Sequence, residues 1–91
     1  MNIKKIKMAL TVGLMKNRES QHALQNLKEM MNNFREEVGN FLGLQELSIQ
    51  MLNANHEQRS YAIQFERCTL SVDLIQNPRN NTQIVKSFNL R

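Results

Sequence analysis

Apolar residues recur at every second position near the start of the chain. Ile6, Met8, Leu10, Val12 and Leu14 alternate with Lys7, Ala9, Thr11 and Gly13. Five matches at period two predict a first strand with one face turned to a core. Asn17 to Ser20 then reads as a turn with two candidate helix N-caps, and Glu19 suits the positive end of a helix dipole. From there the period lengthens. Leu24, Leu27, Met31, Phe34, Val38 and Phe41 are spaced alternately by three and four, and Ala23, Met30 and Leu42 widen the stripe. This pattern predicts an amphipathic helix over about 19–42 whose broad apolar face suits a sheet better than a coiled-coil seam, with Gly39 and Gly43 as candidate stops.

After Gly43 the period returns to two. Leu47, Ile49 and Met51 alternate, Asn53 to Gln58 supplies a polar turn, and Tyr61, Ile63 and Phe65 alternate again. In the next segment Cys68, Leu70, Val72 and Leu74 fall on even positions instead of odd. Either a four-residue loop from Phe65 to Cys68, setting Ile63 by Leu70 and Tyr61 by Val72, or a bulge in one long strand explains the change. Asn77 to Asn81 is the clearest turn, because Pro78 presets φ and asparagine tolerates turn geometry. Ile84, Phe88 and Leu90 mark a last strand. No internal repeat is visible.

The expected fold class is therefore α+β: one amphipathic helix packed on a mostly antiparallel sheet, in the order β-α-β-β-β-β, as one domain over 1–91. This order resembles the layout of cystatin-like folds, in which a sheet wraps a single helix. None of that family's inhibitory signatures is present, so the resemblance implies a layout and no function. The outer face of such a sheet carries Lys5, Lys7, Ser48, Gln50, Leu52, Gln64, Asp73, Ile75, Val85 and Ser87 by parity. That surface is small, neutral and partly apolar.

Composition narrows the class further. At 91 residues with 41% hydrophobic and 22% charged residues, the chain is too apolar for disorder, and its apolar runs are too interrupted to span a membrane. Twelve Asn and eight Gln are spread along it and make a neutral polar surface. Residues 1–15 carry the outline of a secretory signal, but Thr11 and Gly13 interrupt the apolar stretch and no small-x-small cleavage site follows. The lone Cys68 forms no internal disulfide, which points to a reducing compartment and a cytoplasmic location.

Candidate chemistry is thin. His22 and His56 have no second ligand at metal spacing, Glu36 and Glu37 are adjacent and diverge on a helix, and the three glycines form no phosphate loop. Cys68 shares the parity of Leu70 and Val72 and reads as a core side chain. The expectation is no catalytic residue, no metal and no cofactor. The net charge of +4 is concentrated at the start: residues 1–19 carry +4, residues 20–43 carry −1 and the remainder +1. Lys4, Lys5, Lys7 and Arg18, with Arg59, are thus candidate polyanion contacts.

Two functions follow as expectations. The first is a small non-enzymatic binding protein, a regulator, adaptor or inhibitor, acting through protein–protein contacts with no membrane partner. It is expected to form a homodimer through a face containing Leu52, Ile75 and Val85. The alternative is a nucleic-acid-associated factor that uses the basic N-terminal segment.

Overall fold

The computed structural model describes residues 1–16 and 19–91. Its elements are α1 (Ile3–Lys16), β1 (Glu19–Ser20), α2 (Ala23–Asn32), α3 (Arg35–Val38), β2 (Phe41–Asn53), β3 (His56–Phe65), β4 (Thr69–Asn77) and β5 (Thr82–Leu90). The strands form one antiparallel sheet in the order β1-β5-β4-β3-β2. The fold is α+β as expected, but the chain enters through a helix where a strand was predicted, and the helical layer has more than one member.

The first segment is a helix because its alternation is two stripes seen at once. Ile6 and Leu10, one turn apart, are fully buried, and Leu14 packs against the same core. Met8 and Val12, the other two members of the apparent strand, are 69% and 47% exposed on the opposite side. Apolar residues on both sides of a helix imitate period two. Gly13 stands at the crossing with α2, where a Cβ would run into the Met30 sulfur. This substitution of helix for strand also removes the N-terminal strand that the cystatin-like layout needs.

The predicted helix over 19–42 is shorter and broken. Ser20 pairs with Gln83 in the short strand β1, and its hydroxyl oxygen accepts from the His22 amide and from Asn26 Nδ2 at the start of α2. The Ala23 amide donates to Gln83 Oε1, so β5 satisfies another of the free donors at that helix end. Asn17 and Arg18 lie outside the described residues. Asn32 and Asn33 are weak helix formers, whose side chains compete for backbone groups, and the helix stops there. The Phe34 amide donates to the Met31 carbonyl, and Phe34 adopts φ −112° before α3 resumes. The interruption preserves the stripe. Leu27, Met31 and Val38 are fully buried, while Leu24 and Phe34 pack against the core.

Gly39 ends α3 at φ +85° and sends the chain into β2. The β3–β4 turn is fastened to this junction. Arg67 Nη1 donates to the carbonyls of Glu36 and Glu37, the Arg67 amide to the Val38 carbonyl, and the Asn40 amide to Glu66 Oε1.

Strands β3 and β4 follow their patterns closely. Ile63 pairs with Leu70 and Tyr61 with Val72 across the Phe65–Cys68 turn, so two strands and a loop account for the parity change. The Asn77–Asn81 turn is also present, closed by Asn77 Oδ1 and Asn80 Oδ1 accepting from the Arg79 and Thr82 amides. On β5 a register shift opposite Asp73 and Leu74 inverts the expected parity of its first half. Val85 therefore pairs with Leu74 and packs into the core, while Ile84 pairs with Ile75 on the outer face. The core contains Leu70, Val72 and Leu74 of β4, Ile63 and Phe65 of β3, Leu90 of β5, and the buried side chains of α1, α2 and α3.

Candidate functional site

A helical layer of this size covers only part of a five-stranded sheet. The helices α1 and α2 pack on β5, and their buried side chains share one core with β4 and β3. The far edge strand, β2, is left open. Its residues Phe41, Leu44, Glu46, Ile49 and Met51 pair with Phe65, Ile63, Tyr61, Arg59 and Glu57, so they lie on the helix side of the sheet. Even so, Leu44 is 51% exposed, Ile49 53% and Met51 60%, because no helix lies over them. Leu42, Leu47 and Leu52 are exposed as well. Single apolar residues on a surface are ordinary, but this many along one strand form a contiguous strip of the kind that marks a contact surface.

The strip has an internal rhythm. Register shifts fall at Leu42, Leu47 and Leu52, five residues apart, so that Phe41, Glu46 and Met51 pair with Phe65, Tyr61 and Glu57, which are four apart. The residues show the same period: Phe41–Gln45 (FLGLQ), Glu46–Gln50 (ELSIQ) and Met51–Asn55 (MLNAN) each place Leu second, a small or polar residue third and an amide fifth. Each extra residue restores the phase of the unit that follows. Gly43, Gln45, Ser48 and Gln50 consequently line the outer face, while Phe41, Leu44, Glu46, Ile49 and Met51 face the helix side. This repeat was available in the sequence. A period of two hides it, because Leu47, Ile49 and Met51 alternate as a core strand would.

At one end of the strip a groove of about 430 Å³ separates α2 from β2, bounded by Gln25, Lys28, Glu29, Asn32, Phe41 and Phe65. Phe41 meets Phe65 edge to face at 6.0 Å between centroids, and Lys28 Nζ lies 4.1 Å from the centre of the Phe41 ring. Toward the other end, Arg59 Nε donates to Glu57 Oε1 at 2.8 Å, and Arg59 Nη1 is 3.9 Å from Glu46 Oε1. Tyr61 and Glu57 hold the guanidinium above its ordinary range, so it stays charged. The strip is thus apolar on either side of a charged centre, where Glu46 and Arg59 lie together on the helix side of the sheet, with Lys28 and Glu29 at one end.

No family model, curated protein or solved structure matches the chain.

The structure separates the residues singled out from the sequence. Lys4, Lys5 and Lys7 come together on α1, where Lys5 Nζ is 3.8 Å from Glu37 Oε1. Arg59 is placed on β3 between two glutamates, and Arg18 lies outside the described residues. Leu52, Ile75 and Val85 do not share a face: Leu52 sits at a bulge on the edge, Ile75 is on the outer face behind Gln58, and Val85 points into the core. On the outer face Asp73 accepts from the hydroxyls of Ser60 and Ser87, beside the paired Ile75 and Ile84.

Cys68 is a buried, free thiol, and burial pushes its pKa up, which lowers the thiolate fraction that any nucleophilic role needs. His56 Nδ1 lies 3.2 Å from Asn53 Oδ1 in the β2–β3 turn. Among the described residues no three His, Cys, Asp or Glu side chains are grouped to hold a metal ion, and no helix is long and apolar enough to cross a membrane.

Proposed function

We propose that residues 1–91 form one domain that works as a small non-enzymatic binding protein, a regulator, adaptor or inhibitor acting through protein–protein contacts as a homodimer. The observation that carries this reading is the open strip on β2, where seven large apolar side chains from Phe41 to Leu52 remain exposed in a chain of 91 residues. Water contact at such a strip is unfavourable, and covering it with protein surface removes that cost. A cytoplasmic location, without a membrane partner, agrees with a buried thiol that has no disulfide partner in the chain.

Photo-crosslinking in the native host tests this reading. With a benzophenone side chain at position 49, adducts to protein are expected, and the same group at position 80 in the β4–β5 turn is expected to give none. Absence of adducts at position 49 would remove the reading.

One observation favours a second reading, the nucleic-acid-associated factor. Helix α1 carries Lys4, Lys5, Lys7 and Lys16 and no acidic residue. If these lysines contact phosphates, the Lys4→Gln, Lys5→Gln, Lys7→Gln triple variant should lose the wild-type protein's retention on heparin at about 50 mM salt. A wild-type protein that is not retained there would exclude it.

A further inference from the structure

We propose that the occupant of the β2 strip is a second copy of this chain, packed by a closed two-fold axis that sets the helix-side surface of one β2 against that of the other. This rests on the protein-contact reading above and names its partner and geometry.

Area is the first argument. The seven exposed Phe, Leu, Ile and Met side chains, four on the helix side and three at the bulges along the edge, offer on the order of 600 Å² per copy, and covering all of them in both copies buries roughly 1,200 Å². That reaches the lower end of specific interfaces, about 1,200–2,000 Å².

Charge is the second. The strip and its surroundings carry Lys28, Arg35 and Arg59 against Glu29, Glu46 and Glu57, three of each sign. An identical surface is therefore not repelled. The chain's basic excess lies on α1, which packs on β5 on the helix side of the sheet, and Lys5 reaches Glu37 near the start of β2, where its charge is met. A strongly acidic partner would be drawn to α1 and a strongly basic one would gain nothing at β2. A strip with no net charge fits its own copy, and a two-fold axis near its centre sets Glu46 and Arg59 of one copy beside Arg59 and Glu46 of the other.

The bulges decide how the copies meet. Edge strands invite further strands, and bulges are one way of preventing that. With the register broken at Leu42, Leu47 and Leu52, β2 is a poor template for a continued hydrogen-bond ladder. Contact is made by side chains, as between two packed sheets about 10 Å apart. The partner's strip lies alongside α2 and extends over Phe41.

Sedimentation equilibrium on the purified chain over about 1–100 µM tests the assembly, since interfaces of this size hold in the micromolar range or tighter. The mass is expected to rise from 10.7 kDa toward twice that value. Ile49→Lys should return it to the monomer with an unchanged circular dichroism spectrum, and Ile75→Lys on the outer face should leave the dimer intact. A two-fold axis brings the middle of the strand near its copy. Oxidation of Leu47→Cys in a Cys68→Ala background should therefore give a linked dimer, and Ile75→Cys in that background should not.

A dimer that survives Ile49→Lys, or one that Leu47→Cys fails to link, overturns the proposal. A monomer at every concentration also overturns it, and peroxide then tells whether the broader reading survives. If Met51 oxidises as readily as the exposed Met8 and Met15, the strip is open to a different protein. If Met51 is protected in a monomer, the chain covers the strip itself and both readings fall.

Discussion

Truncating Leu27 to Ala is expected to destabilise the fold by about 3–5 kcal/mol, read as a drop in the urea midpoint at unchanged m-value. Leu27 is fully buried on α2 and belongs to the core shared by the helices, β3 and β4. Removing three carbons there costs the transfer energy of those groups, and the neighbouring helices and sheet close only part of the resulting cavity. Leu42→Ala provides the contrast. Leu42 is 64% exposed on the edge strand, so its truncation in the monomer should cost well under about 1 kcal/mol. Two equal, small losses would mean that α2 does not cover the sheet. Domains of this size hold only about 5–15 kcal/mol in total, so the Leu27 variant should be partly unfolded in mild denaturant.

The second large effect is expected at Gly39. Its φ of +85° with ψ of −168° lies in a region open essentially to glycine alone. An added Cβ would also stand 2.6 Å from the Glu66 Cβ, at the point where Glu66 Oε1 accepts from the Asn40 amide. Backbone strain and displacement of Glu66 add together, and Gly39→Ala is expected to cost about 2–4 kcal/mol. Gly43→Ala meets nothing within 4 Å and lies in a strand, so a change within about 0.5 kcal/mol is expected. Thermal melts of the two variants check the difference. A Gly39→Ala protein as stable as Gly43→Ala would show that the α3–β2 junction tolerates an ordinary backbone.

These two positions also show what could be read from the chain. The stripe from Leu24 to Val38 was legible because a buried face leaves a 3.6-residue period even where the helix breaks at Asn33 and Phe34. The pairing of Ile63 with Leu70 and Tyr61 with Val72 was legible because β3 and β4 are central strands with one core face. α1 was missed because Met8, Val12 and Met15 give its solvent side the apolar character that normally distinguishes a core face. Val85 and Ile84 exchanged sides because one residue, Lys86, is left unpaired in β5 opposite the Asp73–Leu74 step. Such bulges leave little trace in hydrophobicity. β2 was misplaced for a related reason. Its residues suit a buried strand, but whether a helix lies above them depends on how far the helical layer extends, and periodicity holds no information on that. Leu52, Ile75 and Val85, expected to share one face, are distributed by the fold among the edge, the outer face and the core.

The five-to-four pairing of β2 with β3 bears on how this hairpin can change length over descent. In an ordinary ladder, a one-residue insertion in one strand turns every later side chain to the opposite face. Here each FLGLQ-like unit is self-contained, carrying its own extra leucine and returning to phase before the next unit begins. Duplicating one unit of β2 together with four residues of β3, next to the Ala54–Asn55 turn, would lengthen the arm while every existing residue keeps its face and its partner. Deleting such a block would shorten it equally cleanly. The arm is therefore a module of adjustable reach, whose span can drift by whole units while the helices and the core beneath them stay as they are.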